Sequence, residues 1–213
     1  AVTYNVGSRD ERRGRTGFAH LFEHMMFKGS ENVGAGEHFL LVFNNGGNMN
    51  GTTSKDRTLY FETMPANQLD LALFLEADRM RTLEITKDNL DNQRHAVQEE
   101  RRLGVDNQPY GRTSEALDEL AYDNFAYEHS VIGSMADLDA ASVEDVAAFF
   151  KHAEKDTTGK ANPAYRKGQK ALLVGTSQSG RMIRTYLHLG FNRDEVGRVA
   201  YEGVMPHIGG GLH

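Results

Sequence analysis

Two histidines and a glutamate stand within five residues of one another in the apolar segment 17–27, GFAHLFEHMMF, and this limits how the chain can fold. Ionisable side chains cost several kcal/mol to bury unless a partner or a bound ion compensates them. The apolar residues recur at intervals of three and four, which predicts a helix over residues 15–28. The helix must therefore direct His20, Glu23 and His24 either to solvent or towards something that they bind.

In such a helix, His20 and His24 lie about 40° apart on one face, because they are four residues apart. Both imidazoles can then bind one ion at zinc–nitrogen distances of about 2.0–2.1 Å. Glu23 lies at the edge of this face, where it can take a proton from a metal-activated water. This H-x-x-E-H order is the inverzincin pattern. The alternative is a chance match by surface or hydrogen-bonded histidines, since the chain has nine of them.

A catalytic zinc site usually has three protein ligands, so a third must come from elsewhere in the chain. The chain has no cysteine, which excludes thiolate ligands, disulfides and a cysteine nucleophile together. The third ligand is therefore expected to be a carboxylate. The predicted helix 86–103 supplies two adjacent candidates, Glu99 and Glu100.

Charge and hydropathy exclude some classes of partner. The 213-residue chain has a net charge of −6 and no basic block, so nucleic acid is not expected to bind. Its apolar runs are far shorter than the roughly 20 residues that cross a bilayer, so no membrane span is predicted. The first residues, AVTYNV, alternate like a strand already under way, which indicates that the natural start and any targeting segment are missing. We expect a soluble protein of bacterial type, and the sequence does not distinguish a cytoplasmic from a periplasmic or secreted location.

Hydrophobic periodicity predicts an α+β fold, in which helices pack on one face of a small, mainly antiparallel sheet with an appended strand–turn–helix segment. Residues 44–56 are rich in turn-forming residues. The predicted strands cover residues 1–7 and 57–65, and the predicted helices cover residues 15–28, 37–45, 67–80, 86–103, 113–125 and 142–152.

The segment with the H-x-x-E-H pattern, GRTGFAHLFEHMMFKGSENV, resembles the zinc-site helix of the pitrilysin/insulinase-type metallopeptidases, the group that includes mitochondrial processing peptidase. The segment GGNMNGTTSKDRTLYFETMP resembles the Asn-Gly/Ala-x-Thr motif of that family and the edge strand that pairs with extended substrate. The segment LDLALFLEADRM resembles the helix that follows this strand in the family, and NQRHAVQEERRLGVDNQPYGR resembles the helix that carries the third zinc ligand. The segment FAYEHSVIGSMADLDAASVEDVAAFF resembles the part of the family that comes after the third-ligand helix. The resemblance covers about residues 1–150.

This resemblance implies a zinc-dependent metalloendopeptidase that cleaves a peptide or protein substrate with metal-activated water. In the family, the third ligand is a glutamate about 76 residues after the second histidine, which selects Glu100 over Glu99. The resemblance thus implies His20, His24 and Glu100 as Zn²⁺ ligands and Glu23 as general base.

The same resemblance implies that an extended peptide contacts Asn48, Asn50 and Thr52. The family works as two homologous halves that close on a peptide, so a second half or a homo-oligomer is an expected partner. The alternative is a subunit that binds zinc without catalysing. Many relatives carry an additional acidic residue one or two turns before the third ligand, where this chain has Gln93 and His95. This departure predicts weaker tuning of the metal by its outer shell.

A second motif, GTSQS at residues 175–179, lies between a predicted buried strand and a predicted helix, as a nucleophile elbow does. It resembles the α/β-hydrolases over about 45 residues, which implies a serine esterase or lactonase with Ser177 as nucleophile. A triad also needs an acid and a histidine, and only 36 residues follow Ser177. Candidates in that stretch are Asp194, Glu195, Glu202, His207 and His213. The alternative is that Ser177 caps a helix or binds an anion.

The composition changes after residue 150, since residues 151–170 contain almost no large apolar side chain. We therefore predict three parts: a metallopeptidase-like zinc domain at 1–150, a linker or exposed loop at 151–170, and an α/β-hydrolase-like fragment at 171–213. The chain would then be chimeric, because it joins two unrelated partial signatures.

Overall fold

The structure, a computed structural model, describes residues 1–150, 172–176 and 203–207. The strands are β1 Val2–Tyr4, β2 Asn48–Thr53, β3 Thr58–Thr63, β4 Leu172–Thr176 and β5 Gly203–His207. The α-helices are α1 Phe18–Met25, α2 Glu37–Asn44, α3 Leu69–Thr82, α4 Lys87–Arg101, α5 Thr113–Ala121, α6 Phe125–Glu128, α7 Met135–Asp139 and α8 Val143–Phe150. A π-helical turn, Arg102–Asp106, continues α4.

The strands form one sheet in the order β2-β3-β1-β4-β5. Antiparallel pairs join β2 to β3, β3 to β1 and β1 to β4, and β5 pairs with β4 in parallel. Helix α1 packs against β2 and β3. The predicted α+β fold with a mainly antiparallel sheet is therefore confirmed.

Strand β4 comes from the segment that resembles an α/β-hydrolase, yet it extends the sheet of the N-terminal part. It pairs with β1, and Val2 lies opposite Leu173. The division of the chain into 1–150, 151–170 and 171–213 stays a prediction, because residues 151–171 lie outside the described part.

Residues Asn48–Thr53 form strand β2, although they fall in the segment that was predicted to be turn-rich. Asn and Gly have low strand propensity, but cross-strand packing outweighs propensity when a partner strand is present, and β2 pairs with β3 along its whole length. The turn itself is confined to residues 54–57, where the Ser54 N–H donates to the Arg57 carbonyl. The structure thus places an edge strand where the sequence pattern indicated a loop.

Two apolar clusters hold the helices in place. The larger lies between α1, α4, α7 and α8, and its buried members are Phe18, Leu21, Phe22, Met25, Leu90, Val97, Leu138, Ala141 and Val146. The smaller joins α2, α3 and β2 through Val33, Val42, Met49 and Leu75. Burying one large apolar side chain contributes roughly 1.5–3 kcal/mol. One face of α1 is therefore fixed against α4, and its polar side chains point towards the gap between α4 and β2.

Candidate metal centre

Three side chains from two helices meet beside this gap: His20 and His24 from α1, and Glu100 from α4. The two Nε2 atoms lie 3.3 Å apart, and Glu100 Oε2 lies 3.7 Å from His20 Nε2 and 3.5 Å from His24 Nε2. In a tetrahedral zinc site with bonds of about 2.0–2.1 Å, the donor atoms are about 3.3 Å apart. The three atoms therefore form a triangle of the size that a zinc ion requires.

The two adjacent glutamates of α4 have different surroundings. Glu100 Oε2 faces both imidazoles. Glu99 Oε2 instead accepts a hydrogen bond from Arg102 Nη1 at 3.0 Å, and both of these side chains are about half exposed. The geometry thus brings together the three residues that the resemblance selected and leaves Glu99 outside the group.

The His20 ring is in the form that a metal ligand requires. Burial and the neighbouring His24 lower the pKa of His20 to about 4, so the imidazole is neutral near pH 7. Its Nδ1 is buried and has no hydrogen-bond partner among the described residues. Packing within α1 and its neighbours, rather than a second hydrogen bond, therefore orients this ring.

The His24 ring has an outer-shell partner, because its Nδ1 lies 3.3 Å from Gln93 Oε1. Metal-binding histidines commonly donate their second N–H to such an acceptor, which fixes the ring and increases its basicity. An amide oxygen is a weaker acceptor than a carboxylate. The structure thus places Gln93 beside His24, whereas His95 is exposed on the same helix.

Gln93→Glu is expected to tighten zinc binding by up to about 10-fold, because a carboxylate accepts the His24 N–H more strongly. Gln93→Leu is expected to weaken it by about 10–100-fold, because the N–H then loses its acceptor. Competition with a chromophoric chelator measures both dissociation constants, with His95→Leu as the control on the same helix. Equal constants for the two Gln93 variants would rule out an outer-shell role.

Glu23 lies next to this group, 9% exposed between α1 and β2. Its Oε2 accepts a hydrogen bond from Thr53 Oγ1 at 2.5 Å. Burial raises the pKa of the Glu23 carboxyl, while the Thr53 hydrogen bond and the nearby His24 act in the opposite direction. Together with His24, Phe27 and Asn50, Glu23 lines a cavity of about 280 Å³. The Glu23 carboxyl and His24 therefore border the same space, which is large enough for a side chain.

Strand β2 contributes two residues that the sequence analysis did not single out, Gly51 and Thr53. A Cβ atom at Gly51 would lie 2.9 Å from both Cγ and Oε1 of Glu23, closer than side-chain atoms normally pack. The more exposed side of the strand carries the residues predicted to contact a peptide, Asn48, Asn50 and Thr52. The Asn-Gly/Ala-x-Thr motif could have identified both residues, because Asn50-Gly51-Thr52-Thr53 matches it and its threonine is therefore Thr53 and not Thr52.

Gly51→Ala is expected to lower the rate of peptide hydrolysis by about 10²-fold with little change in zinc content, because the new methyl group displaces the Glu23 carboxylate by a fraction of an ångström or more. Initial rates on a peptide substrate and metal analysis check this. Gly104→Ala is the matched control, since a Cβ atom there meets nothing within 4 Å. Full activity in the Gly51 variant would show that the close approach has no functional role.

A second histidine–carboxylate group lies between α2, β3 and α3. His38 Nε2 is 2.6 Å from Glu62 Oε1, and Glu76 is close to both. The Arg79 guanidinium pairs with Glu76 and lies 4.6 Å above the Tyr60 ring. Arg79 thus supplies a positive charge within the group, and the short His38–Glu62 contact is a hydrogen bond rather than a pair of ligands. We assign this group to a buried ionic network and not to a metal centre.

Ser177 lies outside the described residues, so its surroundings do not test the nucleophile hypothesis. Strand β4 ends at Thr176, directly before it, and the triad candidate His207 is the last residue of β5. The other triad candidates also lie outside the described part. Among the helices that the structure describes, none is both long and apolar enough to cross a membrane.

Comparison with protein families finds two similarities. Residues 1–135 match the family described as Insulinase (Peptidase family M16), and residues 90–213 match the family described as Alpha/beta hydrolase domain. Both resemblances that the sequence motifs indicated are therefore confirmed, and the match to the α/β-hydrolase family begins at residue 90, before the segment 171–213 in which the motif lies.

Curated relatives carry corresponding names. The zinc protease PqqE of Helicobacter pylori is 38% identical over 148 residues, which are 70% of this chain and 33% of that protein. The probable mitochondrial-processing peptidase subunit beta of Schizosaccharomyces pombe is 25% identical over 150 residues, 70% of this chain and 33% of that protein. The chain thus spans about a third of the length of these relatives. Their names do not favour a serine esterase or lactonase.

Solved structures show the same architecture. A protease from Helicobacter pylori superposes with a TM-score of 0.68 at 30% identity, covering 83% of this chain and 51% of that one. Pitrilysin superposes with a TM-score of 0.59 at 21% identity, covering 72% of this chain and 17% of that one, which shows a shared fold.

Proposed function

Because the chain belongs to the insulinase family of peptidases, family M16, we propose that it forms the zinc-binding part of a metalloendopeptidase. The observation that carries the proposal is the triangle formed by His20 Nε2, His24 Nε2 and Glu100 Oε2, with Glu23 beside it. Two imidazoles and one carboxylate are a donor set that zinc takes in catalytic sites. Relatives named zinc proteases support the same metal.

In this proposal each residue of the site has a defined task. A Zn²⁺ ion held by His20, His24 and Glu100 would lower the pKa of a water molecule and polarise the scissile carbonyl. Glu23 accepts the proton of the attacking water and returns it to the leaving amine. Thr53 donates its hydroxyl hydrogen to Oε2 of Glu23, and Gly51 leaves room for Oε1 and Cγ, so these two residues of β2 together position the carboxylate. The small residue at position 51 is therefore part of how the base is placed.

Strand β2 is the proposed docking edge for the substrate. It is the outermost strand of the described sheet, so its free edge can pair with an extended peptide backbone. Asn48, Asn50 and Thr52 have exposed side chains along this strand, and Asn50 also lines the cavity beside Glu23. In the proposal they contact the peptide while the backbone pairing aligns its scissile bond.

A second homologous half or a second copy of the chain is the proposed partner. The chain spans about a third of its curated relatives, and the described site uses residues from α1, α4 and β2. Such a partner would close over the peptide opposite β2 and shield the reacting bond from bulk solvent. Without this partner, the chain would bind zinc but would hydrolyse peptides slowly.

Metal analysis combined with inhibitor assays tests the proposal. We expect one zinc per chain, with hydrolysis of a peptide substrate that phenanthroline abolishes and added zinc restores. Ester hydrolysis that a serine-directed phosphonate blocks, with no effect of phenanthroline, would favour Ser177 instead. One zinc per chain without peptide hydrolysis, alone or with a second half, would favour a non-catalytic subunit.

A further inference from the structure

The helix that carries the two histidines is capped by a carboxylate from outside it. The N-cap residue Gly17 has a positive φ of 84° and no side chain with which to cap. Glu11 takes its place, because Oε2 accepts the Gly17 N–H at 2.9 Å and Oε1 accepts the Ala19 N–H at 2.8 Å. The first N–H groups of a helix lack partners within it, and a negative charge there is stabilising. The Glu11 carboxylate therefore caps the first turn of α1, directly before His20.

Glu11 is in turn held by a histidine 118 residues further along the chain. His129 Nε2 lies 2.9 Å from Glu11 Oε2, and His129 Nδ1 lies 2.6 Å from the Phe125 carbonyl oxygen. When Glu11 is ionised, both partners are acceptors, so both ring nitrogens donate, as only the imidazolium form can. Burial raises the pKa of Glu11, while its hydrogen bonds to His129, Ala19 and Gly17 act in the opposite direction. Burial lowers the pKa of His129, but the hydrogen bonds and the charge of Glu11 outweigh it, so the pKa is raised.

This ion pair is buried, with side-chain exposures of 10% for His129 and 4% for Glu11. Burial removes solvent competition, and each partner is also hydrogen-bonded to backbone, which satisfies the condition under which a buried pair is well tolerated. A further link acts at the same place, because Thr16 donates both its N–H and its Oγ1–H to Asp137 Oδ2, at 3.0 and 2.5 Å. The start of α1 is thus tied to the segment that contains α6 and α7.

We propose that Glu11 and His129 form a positioning pair that sets the start of α1 and thereby holds His20 in the geometry for zinc binding. The inference rests on the proposed zinc site. His20 is the third residue of α1, so a rotation or fraying of its first turn moves the His20 ring directly. Because His20 Nδ1 has no outer-shell partner among the described residues, its orientation depends on the helix more than that of His24 does.

Two readouts on the folded protein test the pair: the zinc dissociation constant from chelator competition, and the visible absorption spectrum of the cobalt-substituted site. Glu11→Ala is expected to weaken zinc binding by about 10–100-fold, as the loss of other supporting contacts does, and to change the cobalt spectrum. Glu11→Gln keeps one acceptor oxygen and is expected to lie between Glu11→Ala and the unaltered protein. His129→Gln is expected to behave like Glu11→Gln. Glu128→Gln, which removes a surface ion pair next to His129, is the matched control and is expected to leave both readouts unchanged.

The outcomes separate this inference from the zinc site itself. If the unaltered protein binds zinc and His20→Ala does not, the proposed zinc site is supported. In that case, a Glu11→Ala variant whose zinc dissociation constant is within about twofold of that of the unaltered protein, with the same cobalt spectrum, would overturn the positioning role alone. If the unaltered protein binds no zinc, both proposals fail together. If Glu11→Ala does not fold, the two glutamine variants decide, and identical values for them and the unaltered protein would overturn the inference.

Discussion

Glu23→Gln is expected to remove peptide hydrolysis while zinc stays bound. A positioned general base contributes about 10²–10⁴-fold to the rate, so kcat should fall by that factor. The substitution keeps the length of the side chain, and the amide oxygen can still accept the Thr53 hydroxyl, which limits any structural effect. The amide cannot take a proton from water near pH 7. The variant therefore separates proton transfer from metal binding.

Initial rates on a peptide substrate and metal content together measure this effect. Glu99→Gln is the control, because it makes the same chemical change close to the site, at a residue that pairs with Arg102. A Glu23→Gln variant that still hydrolyses peptide at the normal rate would mean that another group acts as base. Loss of zinc in this variant would mean instead that Glu23 is itself a ligand.

Glu100→Ala is expected to weaken zinc binding strongly, because it removes a ligand. Loss of a residue that only supports a ligand costs about 10–100-fold in affinity, and the loss in Glu100→Ala should be larger. The two remaining imidazoles would then hold the ion with an incomplete donor set. Hydrolysis should be lost in proportion to zinc content and should return partly at high added zinc. Glu100→Ala thus affects binding first, whereas Glu23→Gln affects turnover alone.

The adjacent residue is a sharp control for this experiment. Glu99 and Glu100 have the same charge and lie on the same turn of α4, but the structure directs Glu100 to the histidines and Glu99 to Arg102. Glu99→Ala is therefore expected to keep full zinc content. Unchanged zinc content in Glu100→Ala together with a loss in Glu99→Ala would transfer the ligand role to Glu99.

Local pattern was sufficient for most of the helices, although α6 and α7 were not predicted, and for two of the three residues of the candidate metal centre. The period of an α-helix places residues four apart on one face, so the convergence of His20 and His24 could be predicted without any knowledge of the rest of the fold. The fold class followed from the alternation of helical and strand-like periods. Strand β2 was missed, because its asparagines and glycines form a strand only when β3 supplies the partner.

The sequence by itself determined that a helix presents two imidazoles and a carboxylate on neighbouring positions, because that depends on helical periodicity alone. Family resemblance was needed to choose Glu100, since spacing leaves both glutamates open. Only the tertiary structure decided which groups surround the centre: Thr53 on Glu23, Gln93 on His24, and the His129–Glu11 pair at the start of α1. These contacts join residues 30, 69 and 118 positions apart, and their geometry arises from how α1 packs against α4 and the sheet. No local period encodes such a distance, which is why packing had to supply it.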